Sequence, residues 1–121
     1  MAIHHETLII GAGPAGLAIA GRMRKKGIPF HLLEAADKAG NSWHEHYERV
    51  HLHTLKQYSH LPHLPFPAKT PRYVPRQQVA EYLGDYADHF DIQPEFQQKL
   101  STARKIEMGW QVTSETGTDF T

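Results

Sequence analysis

Hydrophobic and polar positions follow different rhythms along this chain, and the rhythm changes at its glycines and prolines. Leu8, Ile9 and Ile10 form a continuous apolar run that passes straight into Gly11-Ala12-Gly13-Pro14-Ala15-Gly16. Such a run suits a strand covered on both faces, leading through a turn into a helix. Pro14 fits the first helical turn, where its missing N–H is harmless. Gly16 and Ala20 keep one helix face small, and Gly27 closes the helix after Arg22, Arg24, Lys25 and Lys26. Ile28 to Leu33 reads as a second strand, with Glu34 at its C-terminal edge.

The rhythm then disappears. Ala35 to Asn41 has no apolar period and reads as a loop, in which both residues of the Gly40-Asn41 pair tolerate positive φ. Pro62, Pro65, Pro67, Pro71 and Pro75 exclude a long helix between Ser59 and Pro75, leaving extended chain that lies over the domain. Lys69, Arg72 and Arg76 border this segment and read as part of a solvated loop. From Pro75 onward, Val79, Tyr82, Leu83, Tyr86, Ala87 and Phe90 recur at helical steps, predicting an amphipathic helix of about four turns with its aromatic residues in the core. Phe96 to Glu107 and Gly109 to Ser114 read as two strands around a turn near Met108-Gly109. Glu115 to Thr121 reads as another hairpin turn, so the chain is expected to stop within a sheet. The fold class is α/β: a partial Rossmann-like domain with a βαβ start, an amphipathic helix and a β-hairpin.

The glycine turn carries the candidate chemistry. Gly11 permits a tight turn, Gly13 lets a pyrophosphate approach the backbone, and Gly16 allows close packing of helix on strand. The helix N-terminus adds unpaired N–H groups and partial positive charge. Glu34 stands 18 residues after Gly16, placed to accept hydrogen bonds from ribose hydroxyls. Its carboxylate would repel a 2′-phosphate, so FAD or NAD is favoured over NADP. The glycine spacing alone is a weak signal, and the surrounding strand, helix end and acidic residue strengthen it.

Composition narrows the alternatives. A chain of 121 residues is one domain at most. Thirteen basic and thirteen acidic side chains balance, so charge points to neither nucleic acid nor a membrane surface. There are no cysteines, which removes disulfides, thiolate metal sites and cysteine nucleophiles. No apolar run reaches the roughly 20 residues of a membrane span, and no signal peptide is visible, so the chain is expected to be cytoplasmic. Ten histidines invite a metal reading at His44-x-His46 and His51-x-His53, but the segment lacks clustered carboxylates that must be ligands. No metal site is assigned, the histidines are expected to be surface residues, and no residue is assigned a catalytic role. Trp43 could stack near a cofactor or fill the core.

Four stretches carry a family likeness: GAGPAGLA, LLEAADKAGNSW, YERVHLHTLKQYSHLPHLPFP and TPRYVPRQQVAEYLGDYADHF. Over about residues 6 to 114 the chain resembles the N-terminal, FAD-binding part of flavin-containing monooxygenases, closest to their YUCCA-like and bacterial branch. The resemblance implies tightly bound FAD, reduction by NADPH, and use of O2 to oxygenate a small-molecule substrate. It places Gly11, Ala12, Gly13, Pro14 and Ala15, with Gly16 closing the turn, at the FAD pyrophosphate, and Glu34 at the ribose. It places Ser42 and Trp43 along the flavin, His53 and Thr54 near the isoalloxazine ring, and Lys56 just after them. The chain departs from the family at Asn41, where a second glycine is usual, and at His44, where arginine is usual. Asn41 is expected to adopt the glycine-like backbone at modest strain. His44 lacks the guanidinium fork.

The family's second glycine-rich loop, for NADPH, is not among these residues. The expectation is therefore one domain, residues 1–121, cut before the NADPH-binding domain and incapable of turnover alone. The alternative is a non-catalytic nucleotide-binding or interaction domain derived from such an enzyme. An NAD-linked dehydrogenase is a weaker third reading, because it gives no reason for the middle motifs.

Overall fold

A computed structural model describes residues 2–45 and 49–121. The apolar run forms β1 (Leu8–Ile10), the small-residue stretch α1 (Pro14–Lys26), and the second run β2 (His31–Leu33). β1 and β2 pair in parallel, Leu8 with His31, Ile9 with Leu32 and Ile10 with Leu33, as a βαβ crossover requires. β2 starts later than the hydrophobic pattern suggests. Gly27 adopts a left-handed φ of 68°, the Ile28 N–H turns back to the Met23 carbonyl at 2.9 Å, and Pro29 has no N–H to give a ladder.

On its other side β2 is joined by Glu95, whose N–H donates to Leu32 O at 2.8 Å while its carbonyl accepts the Glu34 N–H at 2.9 Å. Among the described residues β1 has a strand neighbour on one side only. This corrects the reading of the first strand: Ile9 is 7% exposed, but Ile10 is 50% exposed.

After β2 come α2 (Asn41–Glu45), a 3-10 turn (Lys56–Tyr58) and α3 (Arg76–His89). The five-residue α2 replaces the end of the predicted loop. Gly40, with φ of 66°, takes the left-handed position alone, and Asn41 opens the helix without strain. α3 matches the periodic pattern, with Pro75 as its N-cap and Val79, Ala80, Tyr82, Leu83, Tyr86 and Ala87 buried. These pack with Ile9, Leu17, Ala20, Leu32 and Val74 into the main core, and Trp43 packs against it.

The α3 tyrosines pin the proline segment. Tyr82 Oη accepts the Leu61 N–H at 2.8 Å and donates to Leu64 O at 2.6 Å, while Tyr86 Oη donates to Pro62 O at 2.8 Å. Burial pushes the Tyr82 phenol up and the Tyr86 phenol up to about 12, so both keep their protons as donors. α1 crosses this point at Gly21, where an added Cβ would lie 1.9 Å from Tyr86 Oη.

β3 (Leu100–Ile106), β4 (Gly109–Ser114) and β5 (Asp119–Phe120) form an antiparallel sheet in the order β3-β4-β5. The β3–β4 turn lies where the pattern puts it, with Gly109 at φ of 130°. Phe96 to Lys99 stay outside β3, because the Gln97 and Gln98 N–H groups are given to Ala36 O and Glu34 O, both at 2.9 Å. The final turn leads back into β5, whose Phe120 is fully buried against Leu33 and Val112 in a second, smaller core.

Candidate dinucleotide site

The glycine turn is held from three sides. The Gly11 N–H donates to Leu33 O at 2.7 Å, continuing the ladder one residue past β1. The Gly40 N–H donates to Ala12 O at 2.8 Å. The third tie comes from Glu34, whose Oε1 accepts the Ala12 N–H at 2.7 Å and whose Oε2 accepts the Ala36 N–H at 2.8 Å. Each carboxylate oxygen has a second lone pair, so Glu34 retains acceptor capacity for a ribose hydroxyl. It is thus both a candidate ligand residue and a fastener of the turn, a role its spacing did not reveal.

The glycines divide their work according to space. A Cβ at Gly16 would sit 1.9 Å from Gly11 O, so this position serves the close approach of α1 to the turn. A Cβ at Gly13 would meet nothing of the protein within 4 Å, so the space beside it is open. Gly11 combines equally open space with a φ of 98°, a backbone that side chains rarely adopt. α1 has no side-chain cap, and the amides of its first turn have no partners within the helix. An anion placed there would meet those N–H groups and the positive end of a 13-residue helix. These features fit a dinucleotide pyrophosphate with its adenosine ribose toward Glu34.

Other expected site residues lie further along the chain. Ser42 is exposed and Trp43 half-buried on α2, which follows Gly40 directly, and the Trp43 N–H donates to Gly40 O at 3.0 Å. His53 and Thr54 are exposed, and no hydrogen bond joins either to the glycine turn among the described residues. Thr54 pairs its hydroxyl with Ser59. Lys56 grips the proline segment, its Nζ donating to Ala68 O at 3.0 Å and Thr70 O at 2.6 Å. Residue 46, and with it the His44-x-His46 reading, lies outside the described residues. Among the described residues no group of three potential ligands is arranged for a metal ion, and no helix is long and apolar enough to cross a membrane.

Two features escaped the sequence. Arg76 does not belong to a solvated loop: its Nη1 donates to Trp43 O at 3.2 Å and His44 O at 2.8 Å. His5 is not a lone surface histidine either. It stacks on His31 with ring centroids 4.2 Å apart and planes within 10°, and His31 Nε2 lies 2.9 Å from Glu95 Oε1. These partners are 26 and 64 residues apart in sequence, too far for any local pattern to link them.

A parallel βα unit, an uncapped helix above a glycine turn, and a fastened carboxylate at the next strand end have the arrangement of the α/β dinucleotide-binding fold. The family described as pyridine nucleotide-disulphide oxidoreductase matches residues 8–120, and the chain belongs to it. The disulphide part of that description has no counterpart in these cysteine-free residues.

The chain is 47% identical over 110 residues to indole-3-pyruvate monooxygenase YUCCA6 of Arabidopsis thaliana, covering 88% of this chain and 26% of that relative. It is 36% identical over 106 residues to an indole-3-pyruvate monooxygenase of Oryza sativa subsp. japonica, covering 87% of this chain and 24% of the relative. It therefore spans about a quarter of the length of these curated relatives. A flavin-containing monooxygenase from Stenotrophomonas maltophilia superposes with a TM-score of 0.87 at 24% identity, over 98% of this chain and 36% of that one. A bacillithiol disulfide reductase from Staphylococcus aureus gives 0.86 at 19% identity, over 98% and 36%. At these identities the two structures speak for the fold, and both bear out the α/β reading. The resemblance to flavin-containing monooxygenases is borne out by the relatives.

Proposed function

We propose that the chain is the FAD-binding portion of a flavin-dependent monooxygenase, a cytoplasmic flavoprotein that uses NADPH and O2 to oxygenate a small organic substrate. The observation that carries this reading is the open space in front of Gly13, faced by the uncapped N-terminus of α1 and backed by the Glu34 carboxylate. The relatives, named as monooxygenases, support FAD over a simple NAD role.

In this reading the amides of Gly13 and of the first turn of α1 bind the pyrophosphate, and the second lone pairs of Glu34 accept the ribose hydroxyls. Gly11, Gly13 and Gly16 keep the backbone close without a side chain in the way, and Ala12, Pro14 and Ala15 complete the turn. Ser42 and Trp43 line the flavin, with His53 and Thr54 toward its ring. FAD, when bound, supplies the redox chemistry, and these residues bind and orient it. Neither nucleic acid nor a membrane is a partner in this reading.

The test is direct. The purified chain should be yellow, or should take up added FAD with a rise in Tm that NADP does not produce. A colourless preparation with no thermal gain from FAD would refute the proposal.

A further inference from the structure

We infer that Arg76 is a positioning residue for the flavin-lining segment: its guanidinium fixes the C-terminal end of α2 and so sets Trp43 against the glycine turn. The inference rests on the FAD reading and deepens it. A five-residue helix leaves its last carbonyls without intrahelical partners, and Arg76 Nη1 supplies one cationic donor to two of them, Trp43 O and His44 O. The Arg76 backbone N–H donates to Val50 O at 2.8 Å. One residue thus grips the chain on both sides of positions 46–48.

The grip is continuous with the site. α2 is anchored at its other end through Gly40, whose N–H holds Ala12 O in the glycine turn. A Cβ on Gly40 would lie 2.8 Å from Leu83 Cδ1 and 2.9 Å from Leu83 Cβ, so α3 sets the start of α2 as well as its end. Arg76 opens α3, and Leu83 lies two turns further along the same rigid rod. The segment is therefore spanned between two points of one helix, and its distance from the phosphate turn follows from where α3 sits.

Arg76 is not arranged for its own hydrogen bonding. Its Nε is buried with no partner among the described residues. A lysine there would keep the cation and remove that unpaired donor, but its ammonium ends one bond short of the point where Nη1 meets both carbonyls. Stability and positioning should therefore separate: Arg76→Lys should leave Tm nearly unchanged and still loosen the segment.

The experiment uses the purified chain with Trp110→Phe, which leaves Trp43 as the one tryptophan of the two. Trp43 emission and acrylamide quenching are measured without cofactor, and FAD affinity and Tm are measured in parallel. Arg76→Gln should red-shift the emission, raise quenching several-fold and weaken FAD binding about tenfold, with Arg76→Lys intermediate in each at near-parental Tm. Unchanged emission and quenching in both variants overturn the inference, and so does a shift in emission with unchanged FAD affinity. If the parent binds no FAD, the functional reading fails by itself, whereas unchanged tryptophan signals fail the clamp whatever the FAD result.

Discussion

Replacing Glu34 by alanine removes two acceptors from the backbone at once, and the loss should be visible before any cofactor is added. The Ala12 and Ala36 N–H groups donate to its two oxygens at 2.7 and 2.8 Å. Hydrogen bonds to a charged group contribute about 1.5–3 kcal/mol each. Glu34 is half-buried, so water can reach part of the vacated space, and the lower end of that range applies to each bond. The expected destabilisation is about 3 kcal/mol, or roughly 9–15 °C in Tm for a domain of this size. Thermal unfolding of the cofactor-free chain measures it. Titration with FAD then measures the second effect, weaker binding through lost ribose contacts. Glu34→Gln should fall between, because its amide oxygen can keep one N–H while its NH2 opposes the other. The reasoning is refuted if the cofactor-free Glu34→Ala protein melts within a degree of the parent and only the FAD-induced rise disappears. The carboxylate would then face the ligand alone.

Four further outcomes can be checked. Gly16→Ala should abolish FAD uptake and lower Tm strongly, since its Cβ would meet the Gly11 carbonyl, backbone that cannot swing aside; retained FAD binding would contradict this. Gly21→Ala should cost about 1–3 kcal/mol by overpacking, and Tyr86→Phe, which removes the oxygen that Cβ would strike, should recover part of it in the double variant. Strict additivity of the two would sink the assignment. The pKa of His5 is lowered from 6.5 by burial first and then by His31 and His4, opposed by Glu95. The unfolded chain therefore takes up the proton more readily, so this contribution to stability is full above pH 6.5 and is lost as pH falls through the lowered folded value. Melting curves from pH 7.5 to 5 should show that fall, and His5→Gln should flatten it. Finally, the chain alone should not oxidise NADPH above a free-flavin blank; turnover above it would contradict the reading of these residues as an FAD-binding portion only.

What could be read in the sequence was what neighbouring residues decide among themselves. Gly11 to Gly16 announce their turn because strand, glycines and helix are contiguous. α3 is legible because its buried face repeats every turn and Pro75 marks its start. α2 was not legible. Five residues cannot sustain a helix on propensity, and this one exists because Arg76 and Leu83, more than thirty residues away, meet its two ends. The same holds for Ile10, whose apolar character says nothing about how many strands stand beside it, and for β2, where Gly27 and Pro29 override an apolar run. Glu34 was legible as a carboxylate at the right spacing, but its two backbone partners emerged only with the fold. His5 carries no pattern at all until His31 is folded beneath it.

The close seat of Gly40 on Leu83 also has a meaning in time. Gly11 to Glu34 leave the ribosome before Gly40, and Leu83, which braces Gly40, follows it by 43 positions. At about 5–20 residues per second, that is a wait of roughly 2–9 s. During it the glycine turn has its first strand and helix and lacks the wall behind Gly40, whose N–H holds Ala12 O. In a nascent chain the glycine turn therefore gains the brace that α3 gives Gly40 only after α3 has been made.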